Sequence, residues 1–128
     1  MARFDLTDRR VWVAGHRGWS APPSRAAWLA KKSTYRRLTG TPSDLRRQSD
    51  VAASAESHRP QVVILAAAKV GGILANASHP VDFLEDNLAI ELAVIGADAR
   101  YGVEKLVFLG STCVYPKFAD QSIREEAL

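Results

Sequence analysis

At 128 residues, 47% hydrophobic and 24% charged with a net charge of +3, the chain has the composition of one ordinary folded domain, which excludes disorder as the starting assumption. A single cysteine, Cys113, excludes an internal disulfide and any metal site built on several thiolates, so no metal centre is expected. No run of eighteen apolar residues is present to span a membrane, and Met1 to Thr7 lacks the apolar core of a secretory signal, so a cytoplasmic location is expected.

The first predicted element is Arg10-Val11-Trp12-Val13-Ala14, a continuous apolar run that stops at Gly15-His16-Arg17-Gly18. A buried parallel strand followed by a sharp turn has this appearance. Closely spaced glycines after such a strand let backbone N–H groups approach a pyrophosphate at a helix N-terminus. Two glycines three apart fit a plain tight turn as well.

A helix and then a second strand should follow, and the region from Trp19 to about Ser43 fits badly: Ala26 to Lys32 could be helical, but no second strand is offered. Pro22-Pro23 falls in what would be the first helical turns, where an interior proline is strongly unfavourable. No apolar strand comes next, because Tyr35 to Ser43 is polar and basic and is broken by Gly40 and Pro42. Arg25, Lys31, Lys32, Arg36, Arg37, Arg46 and Arg47 crowd the same stretch. Such a cluster attracts phosphate-bearing partners, nucleic acid included, but no nucleic-acid motif accompanies it; a solvated face is the simpler reading.

Gln61 to Ala68 is a second buried strand, rich in β-branched residues. The stretch from Pro80 to Tyr101 is predicted to be a helix opened by Pro80 and ended by Gly102. Its apolar face is expected to comprise Phe83, Leu84, Leu88, Ile90, Leu92, Ala93, Ile95 and Ala97, with Asp82, Glu85, Asp86, Glu91 and Asp98 outside it. Lys105 to Gly110 is a third strand. Strand, helix, strand with short joints defines an α/β class: a Rossmann-like, doubly wound parallel sheet, truncated, with a disrupted first helix and second strand.

Three segments carry a resemblance to a known family. Gly15-His16-Arg17-Gly18, then Leu65-Ala66-Ala67-Ala68-Lys69-Val70-Gly71-Gly72-Ile73, then Phe108-Leu109-Gly110-Ser111-Thr112-Cys113-Val114-Tyr115-Pro116-Lys117 together resemble the GDP-L-fucose synthase family of extended short-chain dehydrogenases/reductases. Pro80-Val81-Asp82-Phe83 with Asn87 is similar to that family's helix opening. The resemblance covers Arg10 to Gly18 and about Asp44 to Leu128. It implies NADP as cofactor, a GDP-sugar as substrate and a homodimer as the family's assembly. Residues 1–128 are then a partial NADP-binding domain, with a C-terminal substrate domain absent.

The resemblance also implies roles. Gly15, His16, Arg17 and Gly18 would hold the pyrophosphate through backbone N–H groups, with Ala21 at the place of a third glycine. Leu65 and the loop Ala66, Ala67, Ala68 and Lys69 would line the adenosine side. Leu109, Gly110, Ser111 and Thr112 would complete the cofactor side. Ser111 matches the catalytic serine that hydrogen-bonds the sugar's C4 carbonyl oxygen, where negative charge grows during hydride delivery. Cys113 matches an acid/base group for epimerisation at C3 and C5, whose C–H bonds the C4 ketone acidifies. Read as residues alone, Ser111 also suits a turn cap, Cys113 a small buried hydrophobe, Asn87 a structural bond to a strand end, and Lys69 a plain loop lysine.

The chain departs from the family in two places. The family reaction uses Tyr-x-x-x-Lys after the serine strand, whereas Tyr101-Gly-Val-Glu-Lys105 precedes it and is expected at the wrong end of the sheet. The working pair would lie beyond Leu128. Secondly, Trp19-Ser20-Ala21-Pro22-Pro23-Ser24 stands where the family has Met-Val-Gly-Ser-Ala-Ile. The codons TGG TCG GCT CCG CCA TC encode the first, and the same bases preceded by A encode the second. A reading-frame slip after Gly18, restored before Asp44, accounts for the prolines, the missing strand and the basic cluster together. The expectation is therefore an NADP-dependent epimerase/reductase by resemblance, inactive as this chain alone. A non-enzymatic remnant is the alternative, and a basic nucleic-acid-binding module the weaker one.

Overall fold

The computed structural model describes residues 4–15, 36–37, 42, 44–111, 115–116, 118 and 123–124. In chain order these form β1 (Arg10–Ala14), β2 (Arg36–Arg37), α1 (Gln48–His58), β3 (Val62–Leu65), α2 (Ile73–Ser78), α3 (Pro80–Tyr101) and β4 (Lys105–Phe108). The strands make one parallel sheet in the order β2-β1-β3-β4. The chain thus leaves β1 toward one side, then crosses it to build β3 and β4 on the other. A crevice opens at the carboxyl ends of the strands where the winding reverses, between β1 and β3. Ala14 is registered with Leu65, and Leu65 with Phe108, so three strand ends finish level at that crevice.

β1 has the limits that its apolar run predicts. β3 is shorter than its run, because Ala66 to Ala68 leave the sheet after the last rungs, Ala66 N–H to Ala14 O at 2.9 Å and Leu109 N–H to Leu65 O at 3.0 Å. β2 is a strand where the sequence offers no apolar run. A parallel rung is made by backbone N–H and C=O groups, so Arg36 and Arg37 pair with Arg10 and Val11 without any hydrophobic pattern. Of that strand, Arg36 and Arg37 are the described residues. The disrupted first helix falls on residues outside those described.

One face of the sheet carries the core. Trp12, Ala14, Val63 and Leu65 from the strands pack with Val51 and Ala55 of α1 and Ile90, Ala93, Val94 and Ala97 of α3. Residues at alternate strand positions share a face, which places Val11 and its registered partner Val62 on the opposite side, also buried. Neither α1 nor α2 is legible as a helix from the apolar pattern. α1 buries only Val51 and Ala55, and α2 buries nothing.

α3 has its predicted ends: Pro80 occupies the first turn, and Gly102 closes the helix at φ 71°, its N–H donating to Asp98 O. Its expected apolar face is corrected. The helix is apolar around more than one side, and only the stripe Ile90, Ala93, Val94, Ala97 meets the core. Leu84, Leu88, Leu92 and Ile95 are exposed instead, together with Val81. Asp98, expected outside, is buried at 5% exposure, because it follows Val94 by four residues and shares the inward face. Among the described residues its carboxyl oxygens find no hydrogen-bond partner, and burial pushes its pKa up to about 7.

β4 is the edge strand of the described sheet, and most of it is exposed, Phe108 included. No helix among the described residues is long and apolar enough to cross a membrane.

Candidate functional site

A cavity of about 970 Å³ opens at the carboxyl ends of β1, β3 and β4. Gly15 forms one wall, Ala66 to Val70 the ledge beyond β3, and Phe108 to Ser111 the exit of β4. Asp44, Leu45 and Arg46 close it from the approach to α1, and Asp86, Asn87, Ile90 and Glu91 from α3. Gly15, Ala66, Ala67, Ala68, Lys69, Leu109, Gly110 and Ser111 are therefore brought together from three segments far apart in sequence. Leu65 lies beneath them, fully buried as the last residue of β3. His16, Arg17, Gly18, Ala21, Thr112 and Cys113 lie outside the described residues.

The turn after β1 has to be glycine. Gly15 sits at φ +95°, and a Cβ there would lie 2.6 Å from both the N and the Cα of Ala67. The bare backbone of one strand exit thus rests on the bare backbone of the other, the close approach that lets main-chain groups face a ligand.

Lys69 is anchored to α3 on every side. Its N–H donates to Asn87 Oδ1 at 2.7 Å, and its carbonyl accepts from Asn87 Nδ2 at 3.1 Å. Its ammonium pairs with Asp86 at 2.7 Å and stands 5.3 Å from the Phe83 ring centre. Asp86 also takes Arg46 at 3.0 Å, and Arg46 in turn hydrogen-bonds both oxygens of Asp44. The cations thread alternately between carboxylates, Asp44–Arg46–Asp86–Lys69. The Arg46 bonds hold Asp44 down to about 2, and hydrogen bonds from Lys69 and then Arg46 lower Asp86; Arg46 is raised by Asp44 and Asp86.

The sequence reading left Asp44, Arg46, Asp86 and Glu91 unassigned. Asp86 beside Asn87 at a helix opening was the available signal, because residues three and four apart on α3 share a face with Phe83. Arg46 belongs to the basic cluster read as a solvated face or phosphate attractor. Here it is paired with carboxylates, as is Arg47 at 3.9 Å from Asp44. Arg25, Lys31 and Lys32 lie outside the described residues, and Arg36 and Arg37 are described only as strand backbone.

Tyr101 and Lys105 sit where the topology expects them. Tyr101 ends α3 under the Arg59 guanidinium, and Lys105 begins β4, at the amino edge of the sheet. Around that edge Arg9 pairs with Glu104, which Gln61 also hydrogen-bonds. The cavity is at the other end, so this Tyr-x-x-x-Lys spacing has no part in it.

A parallel sheet with its cavity at the reversal point, walled by a glycine turn and two strand exits, defines the class: a Rossmann-like α/β domain. The family model for the NAD dependent epimerase/dehydratase family matches residues 7–128, and the chain belongs to that family. Among curated relatives, GDP-L-fucose synthase of Sinorhizobium fredii is 45% identical over 128 residues, all of this chain and 41% of the relative. Among solved structures, a GDP-D-glycero-L-gluco-heptose synthase from Campylobacter jejuni, determined in the presence of NADPH, superposes with a TM-score of 0.80 at 30% identity, over 98% of this chain and 37% of the other. A GDP-L-fucose synthetase from Naegleria fowleri bound to NADP gives 0.77 at 27% identity, over 99% and 41%. The chain spans about two fifths of the length of the curated relatives it matches.

Proposed function

We propose that this chain is the cofactor-binding portion of an NADP-dependent epimerase/reductase that converts GDP-4-keto-6-deoxy-D-mannose to GDP-L-fucose. The observation that carries the reading is the meeting, around one cavity at the sheet's reversal point, of Gly15, Ala66 to Lys69 and Phe108 to Ser111, described residues of the three segments that resemble the GDP-L-fucose synthases. The residues present fit a dinucleotide: Gly15 leaves no room for a side chain against Ala67, so backbone lines the phosphate end. The ledge Ala66 to Lys69, backed by Asp44 and Arg46, holds the adenosine side. Bound there, NADPH would supply the hydride for reduction at the sugar's C4.

Two of the chain's own residues share the remaining work, while protonation of the C4 oxygen belongs to the Tyr-x-x-x-Lys pair of the intact family. The Ser111 hydroxyl donates a hydrogen bond to the C4 carbonyl oxygen and favours the charge that develops there. The Cys113 thiolate takes a proton from C3 or C5, which the adjacent ketone has acidified; this role rests on the resemblance. The exposed stripe on α3 (Val81, Leu84, Leu88, Leu92, Ile95) supports a homodimer packed on that helix.

These 128 residues alone do not turn substrate over, since no Tyr-x-x-x-Lys follows β4 within them. Residues 19–43 are a frame-slipped stretch that removes the third glycine of the phosphate loop and the end of the second strand, where the family recognises the cofactor's ribose and 2′-phosphate.

The test is a chimera in which residues 44–128 replace their counterparts in the Sinorhizobium fredii synthase. Turnover of the GDP-keto sugar is expected, and Ser111→Ala is expected to lower it roughly 10²–10³-fold, as loss of a donor to a developing oxyanion does. A chimera indifferent to removal of both the Ser111 hydroxyl and the Cys113 thiol would end the reading.

A further inference from the structure

We propose that Asn87 is a positioning residue for the cofactor: its carboxamide pins the backbone of Lys69 and holds the ledge of residues 66–70 in the shape that lines the cavity. This rests on the reading of the cavity as a dinucleotide site. Beyond Leu65 the chain has left the sheet, so among the described residues no strand neighbour faces the peptide groups of Lys69. The Asn87 side chain takes that neighbour's place, accepting from Lys69 N–H at 2.7 Å and donating to Lys69 O at 3.1 Å. Only a carboxamide offers one acceptor and one donor at this spacing; a carboxylate keeps the acceptor and loses the donor.

The bonds sit where they control the ledge rather than the helix. Asp86 and Phe83, on the same face of α3, take the Lys69 ammonium, so backbone and side chain are fixed by one helix surface. Two residues before Lys69, Ala67 abuts Gly15 with no slack. A ledge that swings about Lys69 therefore shifts the wall facing the glycine turn. The core stripe of α3, Ile90, Ala93, Val94 and Ala97, has no part in this contact.

The experiment uses the full 128-residue chain with NADPH as probe. Asn87→Ala is expected to raise the NADPH dissociation constant about tenfold, the scale of one or two lost hydrogen bonds. Asn87→Asp, which keeps one of the two bonds, should fall between. In the same samples the Lys69 amide should exchange faster with solvent, while Val63 and Leu65 in β3 keep their protection. Unchanged affinity in Asn87→Ala overturns the proposal. So does a fall in affinity that comes with lost β3 protection, which would mark a general loosening. If Asn87→Ala does not fold, the same two readouts on Asn87→Asp decide. If the unmodified chain binds no NADPH, the dinucleotide reading fails by itself; the pinning of Lys69 then stands or falls on whether its amide exchange changes.

Discussion

Gly15 and Ala67 touch backbone to backbone: a single methyl group added to Gly15 would overlap the peptide of Ala67 at 2.6 Å. The turn after β1 and the ledge after β3 are consequently one surface. Gly15→Ala meets two penalties, a positive φ and a clash with main chain that cannot rotate away. It is expected to destabilise the chain by about 3 kcal/mol or more. Chemical denaturation of the variant measures this, and a loss of less than about 1 kcal/mol would show that the two exits are not in contact.

Asp98 gives the chain an inverted response to pH. Its carboxyl is buried without a partner among the described residues, and its pKa is raised from 3.8 to about 7 by that burial. The folded state therefore holds the proton more tightly than the unfolded state. The contribution is fully present below about pH 4 and is lost as pH rises toward 7, by at most about 1.4 kcal/mol per unit. Above pH 7 both states are ionised and the loss is complete. Asp98→Asn should flatten stability over that window in urea titrations at several pH values. An unaltered profile in the variant would refute the assignment.

Much of this molecule is legible in its residues, and the rest fails for identifiable reasons. β1, β4 and α3 announce themselves through continuous apolar runs and through Pro80 and Gly102. Gly15 and the Ala66 to Lys69 ledge are legible only through the family resemblance, since a glycine pair at a strand exit suits a plain tight turn as well. α1 is not, because Val51 and Ala55 make too thin a stripe among serines and alanines. The two sides of α3 are also indistinguishable in sequence: Leu88 and Val94 are equally apolar, and only the position of the sheet decides that one is buried. The Asp44–Arg46–Asp86–Lys69 chain joins residues up to 42 positions apart by contacts that no local pattern encodes.

The outer stripe of α3 predicts self-association. Val81, Leu84, Leu88, Leu92 and Ile95 recur at intervals of three and four, which keeps them on one side of the helix. Leu88→Lys or Leu92→Lys should shift the chain toward monomer in sedimentation and leave the core untouched. Equal sedimentation of variant and parent would remove that face from the interface.

The gene itself tests the origin of residues 19–43. After Gly18 its bases should read TGG TCG GCT CCG CCA TC. The displaced frame makes further demands: across the Ala27–Trp28 boundary it must encode Leu, Met or Val, and across Trp28–Leu29 Ala or Val. Across Thr34–Tyr35 it must encode Ile, Leu or Val. Apolar residues thus return where a first helix and second strand require them. Codons for Ser20 to Ser24 that do not fit this reading would dispose of the slip.

The open flank of β4 has a bearing on how these residues fare in a cell. Val107, Phe108 and Leu109 stand partly in water beside backbone groups that no strand among the described residues flanks. Chaperones seize such flanks, and inclusion bodies grow from them. Whatever polypeptide seals this one sets the lifetime of everything upstream of it.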